Sequence, residues 1–203
     1  MKLISLVLIE LFFIQYNCFS QEYPDEKTVQ GYKEIISLYP EDLVSHFPKE
    51  IAHEKVLITA FKYPKIQDLS YIHVMLILND KEIETLKKDA LLKAKAIYHF
   101  TDSCLMVIPY NYEEDSTIIN TDSIQYCQDS NMFPISNIRT WGDFVPDFYK
   151  NATIFIFNAE EGCFLKNDYL SKSGVGLPNG WQHGYSRGIV IFENYVMYWL
   201  DVW

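Results

Sequence analysis

The sequence predicts an α+β fold: a mostly antiparallel sheet with one strand-helix-strand crossover, N-terminal helices and a C-terminal β-hairpin. Three stretches carry that prediction. Gly188 to Trp203 reads as two strands around Glu193-Asn194, Leu69 to Leu78 as a strand apolar on both faces, and Asn79 to Tyr98 as a capped amphipathic helix.

The N-terminus reads as a targeting segment. Residues 1–20 carry Lys2, an apolar run from Leu3 to Ile14 broken by Glu10, and the small residues Cys18 and Ser20 ahead of Gln21, the pattern of a secretory signal peptide. Residues 21–203 then form a single globular α+β domain, secreted or held in the periplasm or cell envelope. The apolar run is short for a membrane-spanning helix, and no later segment is long and apolar enough, so the mature chain is expected to lack a transmembrane segment. The competing assignment is lipidation at Cys18. Gln15-Tyr16-Asn17 departs from the Leu-then-small-residue pattern of a lipoprotein signal, so plain secretion is preferred. Cys104, Cys127 and Cys163 remain, and three cysteines allow at most one disulfide within the chain. Cys104 opens an apolar run and reads as a buried thiol. Cys127 and Cys163 lie in polar, turn-rich surroundings and are the expected pair.

Hydrophobic residues make up 49% of the chain and aromatic ones 16%, which excludes wholesale disorder. Acidic residues number 27 against 17 basic ones, a net charge of −10. A nucleic-acid footprint needs clustered Lys and Arg, so none is expected, and docking on an anionic membrane is disfavoured.

The elements follow in order. Val29 to Leu38 has helical apolar spacing, and a second helical piece starts after Pro40, which suits a first helical position, and stops near Pro48. Lys55 to Tyr63 and Leu69 to Leu78 are strands joined through Pro64 to Asp68. In the second strand Ile72, Val74, Leu76 and Leu78 face one way and Tyr71, His73, Met75 and Ile77 the other, which places it inside a sheet with His73 as a core histidine. Asn79 and Glu82 form a capping box for a helix to about Tyr98, whose apolar stripe is Ile83, Leu86, Ala90, Leu91, Ala94 and Ile97. Cys104 to Ile108 is the strand expected to close the crossover.

Residues 109–146 lose periodicity and read as an irregular insertion or long loop. Glu113, Glu114 and Asp115, with Asp122 and Asp129, are oxygen donors, but their spacing matches no calcium loop, so no metal or cofactor is expected. Asn151-Ala-Thr153 fits a glycosylation acceptor, and Thr153 to Phe157 a further strand. Gly174 to Gly180 is a turn-forming loop without the Gly-Lys-Ser/Thr ending of a phosphate loop.

Site-like chemistry concentrates between that loop and the hairpin. Trp181, His183, Tyr185 and Arg187 are the candidate ligand-binding residues, joining aromatic area, an imidazole that titrates near neutrality and a guanidinium. The leading expectation is a non-catalytic binding or interaction module for a protein or small ligand. A hydrolase with His183 as base and Cys163 or Ser186 as nucleophile is the second reading; neither a nucleophile elbow nor a His-Glu-x-x-His zinc site occurs to favour it. An acidic inhibitor of a basic secreted protein is the third.

Overall fold

A computed structural model describes residues 26–62, 67–118, 132–141, 145, 151–172, 174–178 and 180–203. The signal segment, Cys18 and Cys127 lie outside these residues, as do Asp122, Asp129 and most of the Pro64 to Asp68 connection.

The molecule is built on one antiparallel sheet. Its strands are β1 (Val56–Lys62), β2 (Ser70–Ile77), β3 (Ala96–His99), β8 (Thr153–Glu161), β9 (Gly184–Phe192) and β10 (Tyr195–Val202), in the spatial order β1-β2-β10-β9-β8-β3. The terminal hairpin β9–β10 therefore occupies the middle, with β10 paired to β2 and β9 to β8. That position explains the apolar residues on both faces of both arms, since each face of a central strand is covered. Tyr195 pairs with Phe192 across the two-residue turn, where Glu193 takes the left-handed backbone, φ 51°.

Strand periodicity sorts the sheet's side chains into two cores. On one face Ile72, Val74, Leu76, Ile189, Val196 and Leu200 meet the helices α1 (Glu26–Ser37), α2 (Glu41–Val44) and α3 (Asp80–Lys93) through Tyr32, Leu43, Val44, Ile83 and Ala90. On the other, Met75, Ile154, Val190, Met197, Trp199 and Trp203 meet a covering layer drawn from residues 105–145. Trp199 and Trp203 are wholly buried, and each aromatic side chain of this kind contributes on the order of 1.5–3 kcal/mol by leaving water.

The covering layer gives the stretch from 109 to 146 its structural sense. Its short strands are β4 (Met106–Val107), β5 (Tyr110–Asn111), β6 (Ser116–Thr117) and β7 (Pro134–Ile135); β4 pairs with β7, and β5 with β6. Tyr110, Tyr112, Ile135, Ile138, Trp141 and Val145 are all buried. These isolated apolar residues follow no helix or strand period because irregular backbone presents them singly to the sheet.

α3 starts as its sequence dictates. Glu82 N–H donates to Asn79 Oδ1 and Asn79 N–H to Glu82 Oε2, both at 3.0 Å. The helix ends at Lys93, however, and not near Tyr98. Ala94 turns to ψ 129°, Lys95 N–H bonds the Ile156 carbonyl, and Ala96–His99 joins the sheet edge against β8. Sheet pairing overrides a helical spacing that Ala94 and Ile97 continue, and Ile97 is 42% exposed. α3 thus leads from β2 to β3, and the expected closing strand Cys104–Ile108 lies in the covering layer instead.

The cysteines also differ from expectation. Cys163 is a free thiol exposed just beyond the end of β8, and Cys104, half-buried where the chain enters the covering layer, is disulfide-bonded. The pairing of Cys127 with Cys163 is therefore overturned. Polar, turn-rich surroundings described both cysteines equally well, but only tertiary placement brings two sulfurs within bonding distance.

Candidate functional site

Alternation along β9 divides the sequence candidates between the two faces of the sheet. Trp181 is buried on the covered face, 6.1 Å from the Trp203 ring, and its carbonyl accepts the Trp203 indole N–H at 2.9 Å. It closes the end of the sheet. Ser186 is buried and donates its hydroxyl to the Pro134 carbonyl. His183 stands before the strand, with Nδ1 buried and unpartnered and its carbonyl accepting Gly162 N–H. No hydrogen bond joins His183 to Ser186 or Cys163 among the described residues.

Tyr185 and Arg187 point to the helix face. Tyr185 packs edge-on against Phe164, and its hydroxyl accepts from Asn158. Burial, followed by the nearby Glu160 carboxylate, pushes its phenol up to about 12, so it remains neutral under ordinary conditions.

Arg187 has the most unusual surroundings of the group. It lines a cavity of about 330 Å3 between α2 and α3, floored by the sheet. Tyr198 of β10, Arg187 of β9 and Phe157 of β8 form the floor; Ser45 and His46 follow α2, and Leu86, Asp89, Ala90 and Lys93 come from α3. The register of β8 and β9 slips between Ile156 and Asn158, a bulge centred on Phe157. Such an extra residue re-aims its side chain out of the strand's regular alternation. Phe157 lines the cavity there, 5.8 Å edge-on from the His46 ring.

The electrostatics of the cavity follow from its packing. His46 Nε2 donates to the Trp199 carbonyl at 2.9 Å. Burial, with the Arg187 charge adding to it, lowers the imidazole to about 3, so His46 is neutral at physiological pH. Arg187 Nη1 donates to Ser45 Oγ at 2.9 Å, while Nε is buried without a partner. Among the described residues Arg187 forms no ion pair. In a chain of net charge −10 this is an unusual state for an arginine, which is ordinarily matched by a carboxylate. A second, more open hollow of about 480 Å3 continues along α3 and shares Leu86, Asp89 and Tyr198 with the first.

No protein-family model, curated protein or solved structure matches the chain. The site therefore rests on its own geometry.

A second constellation is a polar cluster that the sequence did not announce. His73 Nε2 lies 3.0 Å from Asp201 Oδ1 and 3.2 Å from Ser136 Oγ, and the Tyr112 hydroxyl lies 3.1 Å from both Asp201 Oδ1 and Ser136 Oγ. The composition resembles a nucleophile, base and acid, but the proton positions oppose that use. Trp141 Nε1, which can only donate, bonds His73 Nδ1 at 3.2 Å, so the His73 proton sits on Nε2 and is given to Asp201. Ser136 thus faces an N–H and not a lone pair that could take its proton. All five side chains are buried, and the space between Ile58, His73, Met75, Trp141 and Met197 has no room for a water molecule. The cluster clasps the covering layer to the sheet: His73 and Asp201 belong to strands, Tyr112, Ser136 and Trp141 to the layer. Only His73 carried a sequence signal, and the signal was for a core histidine.

Among the described residues no group of His, Cys, Asp and Glu is arranged to hold a metal ion, and no helix is long and apolar enough to cross a membrane. Asp115 of the acidic cluster pairs with Lys62 and accepts the Tyr110 hydroxyl at 2.7 Å.

Proposed function

We propose that this is a non-catalytic binding protein whose small ligand sits between α2 and α3, against Arg187. The observation that carries the reading is an arginine that lines a cavity of about 330 Å3 and has no carboxylate partner among the described residues. The volume lies at the lower end of small-molecule sites, roughly 300–1,000 Å3, and the lining joins the polar side chains of Ser45, His46, Asp89, Lys93 and Arg187 to the apolar ones of Leu86, Ala90 and Phe157 and the Tyr198 ring. Of the residues singled out by sequence, Arg187 is retained in this role; Trp181, His183 and Tyr185 support the sheet around it. The reading keeps the protein outside the cytoplasm, supported by the leader pattern and by a disulfide at Cys104, a bond that persists in oxidising compartments.

The test is a metabolite library read by thermal shift on the full chain and on Ser45→Trp. Ser45 is an exposed residue of the cavity wall, so an indole there blocks the space at little cost to the core. Stabilising compounds should lose their effect in Ser45→Trp. Hits that stabilise both proteins equally would remove the cavity as the site.

A further inference from the structure

We infer that the ligand of the Arg187 cavity is a small monocarboxylate with an apolar body, held through its carboxylate by Arg187. The inference rests on the cavity being the binding site and adds the chemistry of what fills it.

Charge gives the first argument. Arg187 and Lys93 supply two positive charges to the lining and Asp89 one negative charge, while His46 is neutral because burial and the adjacent guanidinium oppose its protonation. One net positive charge matches a monoanion. A phosphate monoester brings about −1.5 to −2 at neutral pH and would add repulsion from Asp89 on the same wall.

Donor geometry gives the second. A guanidinium offers five N–H groups in a planar fork; Nε is closed off from solvent and, among the described residues, Nη1 bonds Ser45 Oγ, so a ligand in the cavity meets the two Nη groups. Paired Nη groups can meet a carboxylate with two parallel hydrogen bonds.

Shape gives the third. The apolar part of the lining is Leu86, Ala90, Phe157 and the ring of Tyr198. Phe157 lines the space from a bulge in β8, and its ring is braced edge-on by His46. Apolar side chains and aromatic faces at this volume favour a compact hydrocarbon or aromatic body.

The experiment is a titration of the full chain with phenylacetate, its neutral isostere phenylacetamide and the dianion phenyl phosphate, by calorimetry and by NMR shifts of the resonances of Phe157, Ala90 and Arg187. Phenylacetate should bind about 10–100-fold more tightly than phenylacetamide, the range expected for a charged hydrogen-bonded pair. Arg187→Gln should remove that difference, and Asp89→Asn should narrow the gap between phenyl phosphate and phenylacetate. Equal affinity for acid and amide, with shifts at the cavity, would overturn the carboxylate assignment and leave the cavity as a site. Shifts located elsewhere and unaffected by Arg187→Gln would remove both. Failure of all three probes to bind at millimolar concentration overturns the monocarboxylate class, and the library comparison with Ser45→Trp then judges the cavity independently. Should Arg187→Gln fail to fold, the acid-against-amide comparison on the unaltered chain still decides.

Discussion

Replacing Asp201 by Ala tests the account of how the covering layer is held to the sheet. Asp201 is wholly buried and accepts from His73 Nε2–H at 3.0 Å and from the Tyr112 hydroxyl at 3.1 Å. Removing the carboxylate orphans two buried donors, each worth about 1–3 kcal/mol. Two features place the total near the lower end. Ser136 Oγ lies 3.2 Å from His73 Nε2 and 3.1 Å from the Tyr112 hydroxyl and can accept part of what Asp201 gives up. Asp201 Oδ2 has no partner, so its burial already costs something that the substitution removes. The expected loss is about 3 kcal/mol, a large share of the roughly 5–15 kcal/mol that holds a domain together. In urea, with a slope near ~2 kcal/mol/M, the midpoint should fall by about 1.5 M. Combining Asp201→Ala with Tyr112→Phe should show a coupling of about 1 kcal/mol or more, since the two share a hydrogen bond. A midpoint shift worth less than about 1 kcal/mol, or strict additivity of the pair, would refute the clasp.

Three further outcomes are expected. His46 is held near 3 in the fold against an ordinary value of 6.5, so the unfolded chain binds its proton first as pH falls. The stability that neutral His46 contributes is complete above pH 6.5 and declines towards pH 3 by up to about 1.4 kcal/mol per unit, or about 2 kcal/mol between pH 6.5 and 5; urea midpoints of His46→Gln should lack this component of the slope. Gly188→Ala should cost at least about 3 kcal/mol or abolish folding, because a Cβ there overlaps the Phe155 carbonyl oxygen and lies 2.7 Å from Trp199 Cζ2; a soluble variant with an unchanged midpoint would contradict the packing of β8, β9 and β10. Iodoacetamide should modify Cys163 in the native, unreduced protein and Cys104 only after reduction, read by peptide mass mapping; labelling of Cys104 without reductant would contradict its disulfide.

The sequence by itself determined the elements whose signal is local. The capping box at Asn79 and Glu82 needs nothing beyond three residues of spacing, and the double-faced apolar character of β2 and of the terminal hairpin follows from a period of two with both faces covered. Where two local signals competed, tertiary structure decided. Ala94 and Ile97 prolong a helical stripe on paper, yet the unfilled edge of β8 offers backbone partners that no isolated helix end can match, and the chain turns into β3.

The candidate site was legible only in part, for the same reason. Arg187 stood out as a cation among site-like neighbours, but Ser45, Asp89 and Phe157, which line the cavity with it, come from α2's end, α3 and a bulge far away in the sequence. Trp181 and Arg187, six positions apart, looked like one surface and lie on opposite sides of the sheet. The cluster of His73, Tyr112, Ser136, Trp141 and Asp201 was invisible because each residue sits alone in its own segment. Side-chain direction within a strand is a local property, whereas which strand lies beside which is a global one, and a site assembled across β8, β9 and β10 comes into view only after the sheet order is known.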